Sequence, residues 1–301
     1  AARAAEALDV KSKIDHRDFR DLAKVTIFED VDRKVIVDLA AAVAAQSVTP
    51  REVADLVRQR HESLWKAKYA KLYRAILSAS ELLAAIAGLP HAVASAALGL
   101  EKYQSDWFRI DQQYRWFTYA HQTADFQKPL EALKTEVDKQ YTNKYLYDFG
   151  GVWQQALEPM SEWKSAGLAP QARFFDRHVA PVVQDGRSKA VVIISDGMRY
   201  EIAEELASMI RSEDRFDASL SAVLGSLPSY TQLGMAALLP QSSLELDPNA
   251  LPVLADGKPT NGTANRDKIL QAVKGHAITA AEVLAMPASE LRELYTKHRI
   301  F

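Results

Sequence analysis

The chain has no cysteine in 301 residues, which removes disulfides, thiolate metal sites and cysteine nucleophiles and points to a reducing, cytoplasmic setting. It also lacks any apolar run near the roughly 20 residues that span a bilayer, so no membrane partner is expected. Charge of one sign is missing as well. The formal net charge is −2, so nothing global suggests non-specific affinity for nucleic acid or anionic membranes, and a local basic patch stays open. The seven histidines are scattered, with no H-x-H or H-E-x-x-H pair. The glycine-rich G-x-x-x-x-G-K-[ST] and G-x-G-x-x-G phosphate cradles are absent too. What remains is a globular composition, 48% hydrophobic and 25% charged, enough for a sizeable packed core. Ala1-Ala2-Arg3 resembles neither an initiator nor a signal peptide, and Arg299-Ile300-Phe301 reads as the opening of a strand. Both ends therefore read as cuts in a longer protein.

Two grammars divide the sequence. Residues 1–185 are helical in pattern. Thr49-Pro50-Arg51-Glu52 forms a capping box opening a helix of about 38 residues, which Gly88-Leu89-Pro90 stops. Tyr103, Trp107, Ile110, Tyr114 and Phe117 recur at spacings of 4 and 3, the seam that a helical bundle buries. A base-stacking or partner-docking stripe is the functional alternative for these aromatics. Leu130, Val137, Tyr141, Tyr145 and Trp153 mark another helix, and 161–181 reads as helical with Phe174, Phe175 and Val179 inward.

After the turn Asp185-Gly186-Arg187-Ser188 the period changes, which places a domain boundary there. Strand 189–195, a helix over 198–211 and strand 216–224 predict a parallel pair with a right-handed crossover. A short helix follows over 231–239. Residues 241–264 read as an exposed polar insertion. Helices over 266–273 and 289–298 flank a short strand at 276–279, and the second leads into a strand at the chain end. The fold class is α + α/β: a long-helix domain over 1–185, then an α/β domain with parallel strands over 186–301.

Asp196 stands on the carboxyl-end rim of the first strand, where parallel sheets bind ligands, and suits a metal. Capping of the next helix is its structural alternative. Thr231 opens the short helix, where unpaired N–H groups and the helix dipole stabilise a phosphate or an alkoxide. It too has capping as the alternative, and Ser229 is the competing hydroxyl. Arg199 could clamp a phosphate oxygen, or pair within the fold while Glu201 supports the helix start. Met198, two positions after Asp196, breaks the Asp-x-Asp of haloacid-dehalogenase-like phosphatases.

The segments Val191-Val192-Ile193-Ile194-Ser195-Asp196-Gly197-Met198-Arg199-Tyr200-Glu201 and Leu227-Pro228-Ser229-Tyr230-Thr231-Gln232-Leu233-Gly234-Met235-Ala236-Ala237-Leu238-Leu239-Pro240 closely resemble the PglZ family. PglZ proteins are a branch of the alkaline phosphatase superfamily and core components of BREX bacteriophage-defence systems. Trp107-Phe108-Arg109-Ile110-Asp111 and Tyr114-Arg115 are similar to a stretch upstream of PglZ domains. The resemblance runs from about residue 100 to the end. It implies that 186–301 is the first half of an alkaline-phosphatase-like core. It further implies that Asp196 is a metal ligand, that Thr231 takes the phosphoryl group and also meets the metal, and that two zinc ions serve hydrolysis of phosphate esters. Arg199 and Ser229 would contact substrate. Implied partners are other BREX components, including the DNA methyltransferase, with nucleic acid as a ligand of the intact protein. The superfamily's later Asp-His ligands have no counterpart in this sequence, so the chain by itself is expected to hold zinc weakly or not at all and to be inactive. The rival expectation is a scaffold, or a nucleotide- or partner-binding module.

Overall fold

A computed structural model describes residues 2–165, 167–247 and 250–301. Two compact units divide the chain: residues 1–161 with 200–202, and residues 162–199 with 203–301. The boundary expected at 185/186 thus falls inside the second unit.

The first unit is helical: α1 (Ala2–Ala7), α2 (Val10–Asp15), α3 (Phe19–Leu22), α4 (Glu29–Ala44), α5 (Pro50–Arg60), α6 (Lys66–Ala87), α7 (Ala96–Lys102), α8 (Phe108–Gln122), α9 (Glu131–Lys139) and α10 (Gly150–Leu157). Its core is built from the apolar stripes of these helices, including Val35, Leu39, Leu72, Ile76, Ile110, Phe117, Leu130 and Val137. Each such side chain contributes on the order of 1.5–3 kcal/mol through burial. Ile110 and Phe117 are buried, with Trp107 and Tyr114 packed against the same core, so the aromatic seam serves the bundle.

The single 38-residue helix expected after Thr49 is two helices. Thr49 caps α5 by accepting from the Glu52 N–H, but the Glu52 carboxylate turns to Arg20 at 2.6 Å instead of closing the box. The break at 61–65 has a tertiary cause. It lets Arg60 and Ser63 both reach Asp32, whose carboxylate accepts from Arg60 Nε (3.0 Å), Arg60 Nη2 (2.6 Å), Ser63 Oγ (2.6 Å) and Tyr73 Oη (2.7 Å). Two π-helical turns, Tyr103–Trp107 and Gln140–Phe149, bring Tyr103, Tyr141 and Tyr145 around the Asp111 carboxylate at 2.7–3.2 Å.

The second unit contains β1 (Ala169–Pro170), α11 (Ala180–Val183), α12 (Tyr200–Ser212), β2 (Val223–Leu224), α13 (Thr231–Ala237), β3 (Leu244–Asp247), β4 (Ala250–Ala255), β5 (Lys258–Pro259), α14 (Gly262–Gln271), α15 (Ala280–Ala285) and α16 (Ala288–Lys297). The first turn of α12, Tyr200–Ile202, counts with the helical unit.

Parallel pairing is present, but between other partners than expected. β2 pairs with β1, while Ala190 and Gly275 both bridge in parallel to Ile300. Segment 189–195 is bonded to residues 299–301 through Ala190 and Val192 and is only partly covered. Val192 packs on a small core of Phe175, Val179 and Ile300, while Val191 and Ile193 are exposed, the latter at 86%. No described residue covers that second face. The region 241–264 is also corrected. It holds the antiparallel sheet β3-β4-β5, with Val253 buried against Leu233 and Ala236 of α13; residues 248–249 lie outside the described residues. Residues 161–181 mix the β1 pair with short helical turns, although Phe175 and Val179 are buried as expected. Among the described residues no helix is long and apolar enough to cross a membrane.

Candidate functional site

Asp196 and Thr231 stand in the same unit, each just ahead of or at the start of a helix. Asp196 occupies a turn closed by Gly197, whose φ of +74° is readily adopted only without a Cβ. Arg199, not Asp196, is the N-cap of α12, and its side chain makes no cap bond. Thr231 is the first residue of α13, where its own N–H is unpaired in the helix. Tyr230 is the N-cap and likewise gives no side-chain cap bond. Neither residue therefore plays the capping role that was its structural alternative.

Asp196, Ser229 and Thr231 are exposed or nearly so, and among the described residues their side chains make no hydrogen bond or ion pair. They reach solvent as an available carboxylate and two available hydroxyls. Arg199 is exposed and is not without an interaction partner.

The loop between β2 and α13 is fixed from the segment before it. Trp163 Nε1 donates to the Gly225 carbonyl at 2.7 Å. Gln171 accepts from the Ser226 N–H and donates to the Gly234 carbonyl, both at 3.3 Å, so one amide bridges the loop and the first turn of α13. The Leu227–Pro228 peptide is cis. Neither Trp163 nor Gln171 was singled out in the sequence, because each acts on backbone groups about 60 residues away and leaves no local pattern.

Glu201 belongs to the fold. It is fully buried, and Arg115 grips both of its oxygens, at 2.7 and 3.0 Å to one and 3.3 Å to the other. Tyr200 packs edge-on against Tyr103 and Phe108. The first turn of α12 is thus held by the same segment, Trp107 to Arg115, that carried the upstream part of the resemblance.

The donor set was tested against zinc, which takes four ligands in a closed site and three plus water in a catalytic one. Asp196 and Thr231 offer two oxygens. Among the described residues no group of three or more His, Cys, Asp or Glu side chains gathers to hold a metal ion. The residues in hand do not complete a zinc centre. Elsewhere in this unit His276 stacks on His298 at 4.9 Å, with Nδ1 of His276 2.8 Å from Asp267, an arrangement that the 22-residue spacing concealed.

An aspartate in the turn ahead of α12 and a threonine opening α13 are compatible with a phosphatase-like α/β unit. Residues 174–301 match the family described as the BREX system PglZ alkaline phosphatase-like domain, and this part of the chain belongs to that family. It is 36% identical over 298 residues to the alkaline phosphatase-like protein BrxZ of Escherichia coli O9:H4 (strain HS), covering 93% of this chain and 34% of the relative. It is 33% identical over 252 residues to the alkaline phosphatase-like protein PglZ of Bacillus cereus (strain H3081.97), covering 82% of this chain and 29% of the relative. The chain spans about a third of the length of these relatives. No solved structure matches it.

Proposed function

We propose that this chain supplies the nucleophile-bearing part of a phosphate-ester hydrolase that serves bacteriophage defence as a BREX component. One observation carries the reading: Asp196 in the turn three residues before the N-cap of α12 and Thr231 at the first position of α13 are both exposed and cap neither helix. In the proposed reaction the Thr231 hydroxyl oxygen attacks phosphorus as the bond to the leaving alcohol breaks, and the threonine proton passes to solvent. Water then cleaves the phosphothreonine, returning the hydroxyl and releasing phosphate or a phosphate monoester. The unpaired N–H groups at the start of α13 face the charge that develops on the phosphoryl oxygens. Ser229 and Arg199 are placed in the reading as substrate contacts, and Asp196 as the carboxylate that organises the phosphoryl position.

Zinc enters no step here, because the donors present do not complete its coordination. The 301-residue chain should accordingly retain little zinc at stoichiometric protein, measured by equilibrium dialysis with elemental analysis. A tightly held ion would contradict this.

The reading is tested with a protein of the relatives' length, supplied with divalent metal, on chromogenic phosphodiester and phosphomonoester reporters. Thr231→Ala and Asp196→Ala should each lower turnover by about a thousandfold or more, with Thr231→Ser retaining activity. Equal rates in wild type and both alanine variants would instead make the domain a scaffold or binding module. The proposed partners are other BREX components, the DNA methyltransferase among them.

A further inference from the structure

Helix α6 opens against the electrostatic preference of a helix. Its first turn has no acidic residue, and Lys66, Lys68, Lys71 and Arg74 crowd its first nine residues. Cations near a helix start oppose the dipole by about 0.3–1 kcal/mol each, and like charges three apart on a helix repel. No carboxylate on α6 precedes Glu81. Glu29 of α4 meets Lys68 at 2.6 Å but is shared with Arg33 at 2.9 Å, so this cluster keeps a net positive charge. Lys66 and Arg74 form no ion pair among the described residues.

Two of these cations meet rings of α8 and the segment after it. Lys68 Nζ is 5.3 Å from the Phe126 ring, and the Arg74 guanidinium lies 4.4 Å over Trp116. Between them Lys71 Nζ donates to the Thr123 carbonyl at 2.6 Å. Phe126 is 47% exposed and Tyr119, one turn before Thr123, is 68% exposed. Capping the end of α8 accounts for Lys71 and stacking accounts for Arg74. Neither accounts for Lys66, or for the exposure of Tyr119 and Phe126 near cations that outnumber the carboxylates facing them, Glu29 and Glu81. Positive charge attracts any polyanion. Exposed rings interleaved with it select one whose bases can stack, which is a single strand and not a duplex.

We propose that this face of the helical unit, Lys66, Lys68, Lys71, Arg74, Tyr119 and Phe126, binds single-stranded nucleic acid. Phosphates lie along α6 and bases stack on the two rings. The proposal is independent of the hydrolase reading.

The test is fluorescence anisotropy of the 301-residue chain with labelled oligothymidine and oligouridine of about 20 nucleotides, a duplex of similar length, and polyglutamate as competitor. Four phosphate contacts predict an affinity loss of about 50-fold from roughly 50 to 200 mM salt. Lys66→Glu with Arg74→Glu should weaken binding at least tenfold and flatten the salt dependence. Tyr119→Ala with Phe126→Ala should weaken binding at unchanged salt slope. Thermal melts of these surface variants check that the fold is kept, and Lys66→Ala alone supplies a milder charge change if the double variant unfolds. Comparable binding of the two oligonucleotides supports the shared chemistry. Preference for one separates DNA from RNA as the source, the sugar and the thymine methyl acting together. The proposal is overturned if wild type binds neither single strand at low salt, if folded variants bind as tightly as wild type, if the duplex binds better, or if polyglutamate competes as well as the oligonucleotides.

Discussion

Asp32 is a carboxylate wholly out of water, matched by a buried arginine, two hydroxyl donors and no solvent. Arg60 also donates to the carbonyls of Ala23 and Val25, so the clasp ties three helices to the loop before α4. Removing one partner strands the other charge. Asp32→Ala should therefore lower stability by about 3–5 kcal/mol, read as a reduced midpoint in urea unfolding. A loss below about 1 kcal/mol would show that the guanidinium finds other compensation. At His298 the direction is set by pH. Burial, then the neighbouring charges of His276 and Lys297, hold its imidazole below the ordinary 6.5, against an opposing pull from Asp267. The unfolded chain binds that proton more readily, so this contribution is complete above pH 6.5 and is lost as pH falls through that range. The thermal midpoint should drop on acidification from about pH 7.5 to 5.5, and less steeply in His298→Phe, which keeps a ring on His276. Identical slopes would remove His298 from the account.

Two glycines of the helical unit make opposite demands on their elements. A Cβ at Gly99 of α7 would run into the ring of Trp153 on α10 and press on Val93 at 3.2 Å. Gly99→Ala should cost about 1–3 kcal/mol, with Trp153 fluorescence reporting the displaced ring. Gly151 lies inside α10 with nothing within 4 Å of its would-be Cβ. Gly151→Ala should stabilise by up to about 1 kcal/mol in the same unfolding assay. At this scale the sequence was legible where local chemistry decides. Thr49 does open a helix, and the Ile110 and Phe117 seam is core. It was not legible where a distant group decides. Nothing near residue 61 announces the break that Asp32 imposes, and the polar composition of 241–264 concealed a sheet in which Val253 and Ala255 are buried.

At the scale of the molecule, the apolar run at 189–195 is the informative misfit. An uninterrupted run predicts cover on both faces, yet Val191 and Ile193 meet solvent. We propose that in a protein of the relatives' length further elements of the domain cover this face. Ile193→Lys should then change the stability of the 301-residue chain by less than about 0.5 kcal/mol, but destabilise the longer protein by about 2 kcal/mol or more. Equal effects in both would mean that the face stays open. Of the candidate site, the placement of Thr231 at a helix start could be read from sequence, whereas the pairing of 189–195 with 216–224 expected to set both loops on one rim is replaced by other partners. The Trp163 and Gln171 supports, and the capture of Glu201 by Arg115, depend on chain crossings that no motif encodes.

The central claim is that the Thr231 oxygen takes the phosphoryl group at a position organised by Asp196. It is tested most directly by rapid acid quench of an active, full-domain protein during turnover of a phosphate ester, followed by mass spectrometry of the Thr231 peptide. The account predicts phosphate on Thr231 during turnover and none in Asp196→Ala. Turnover with Thr231 unmodified throughout the time course, or with the phosphate on Ser229, would contradict it.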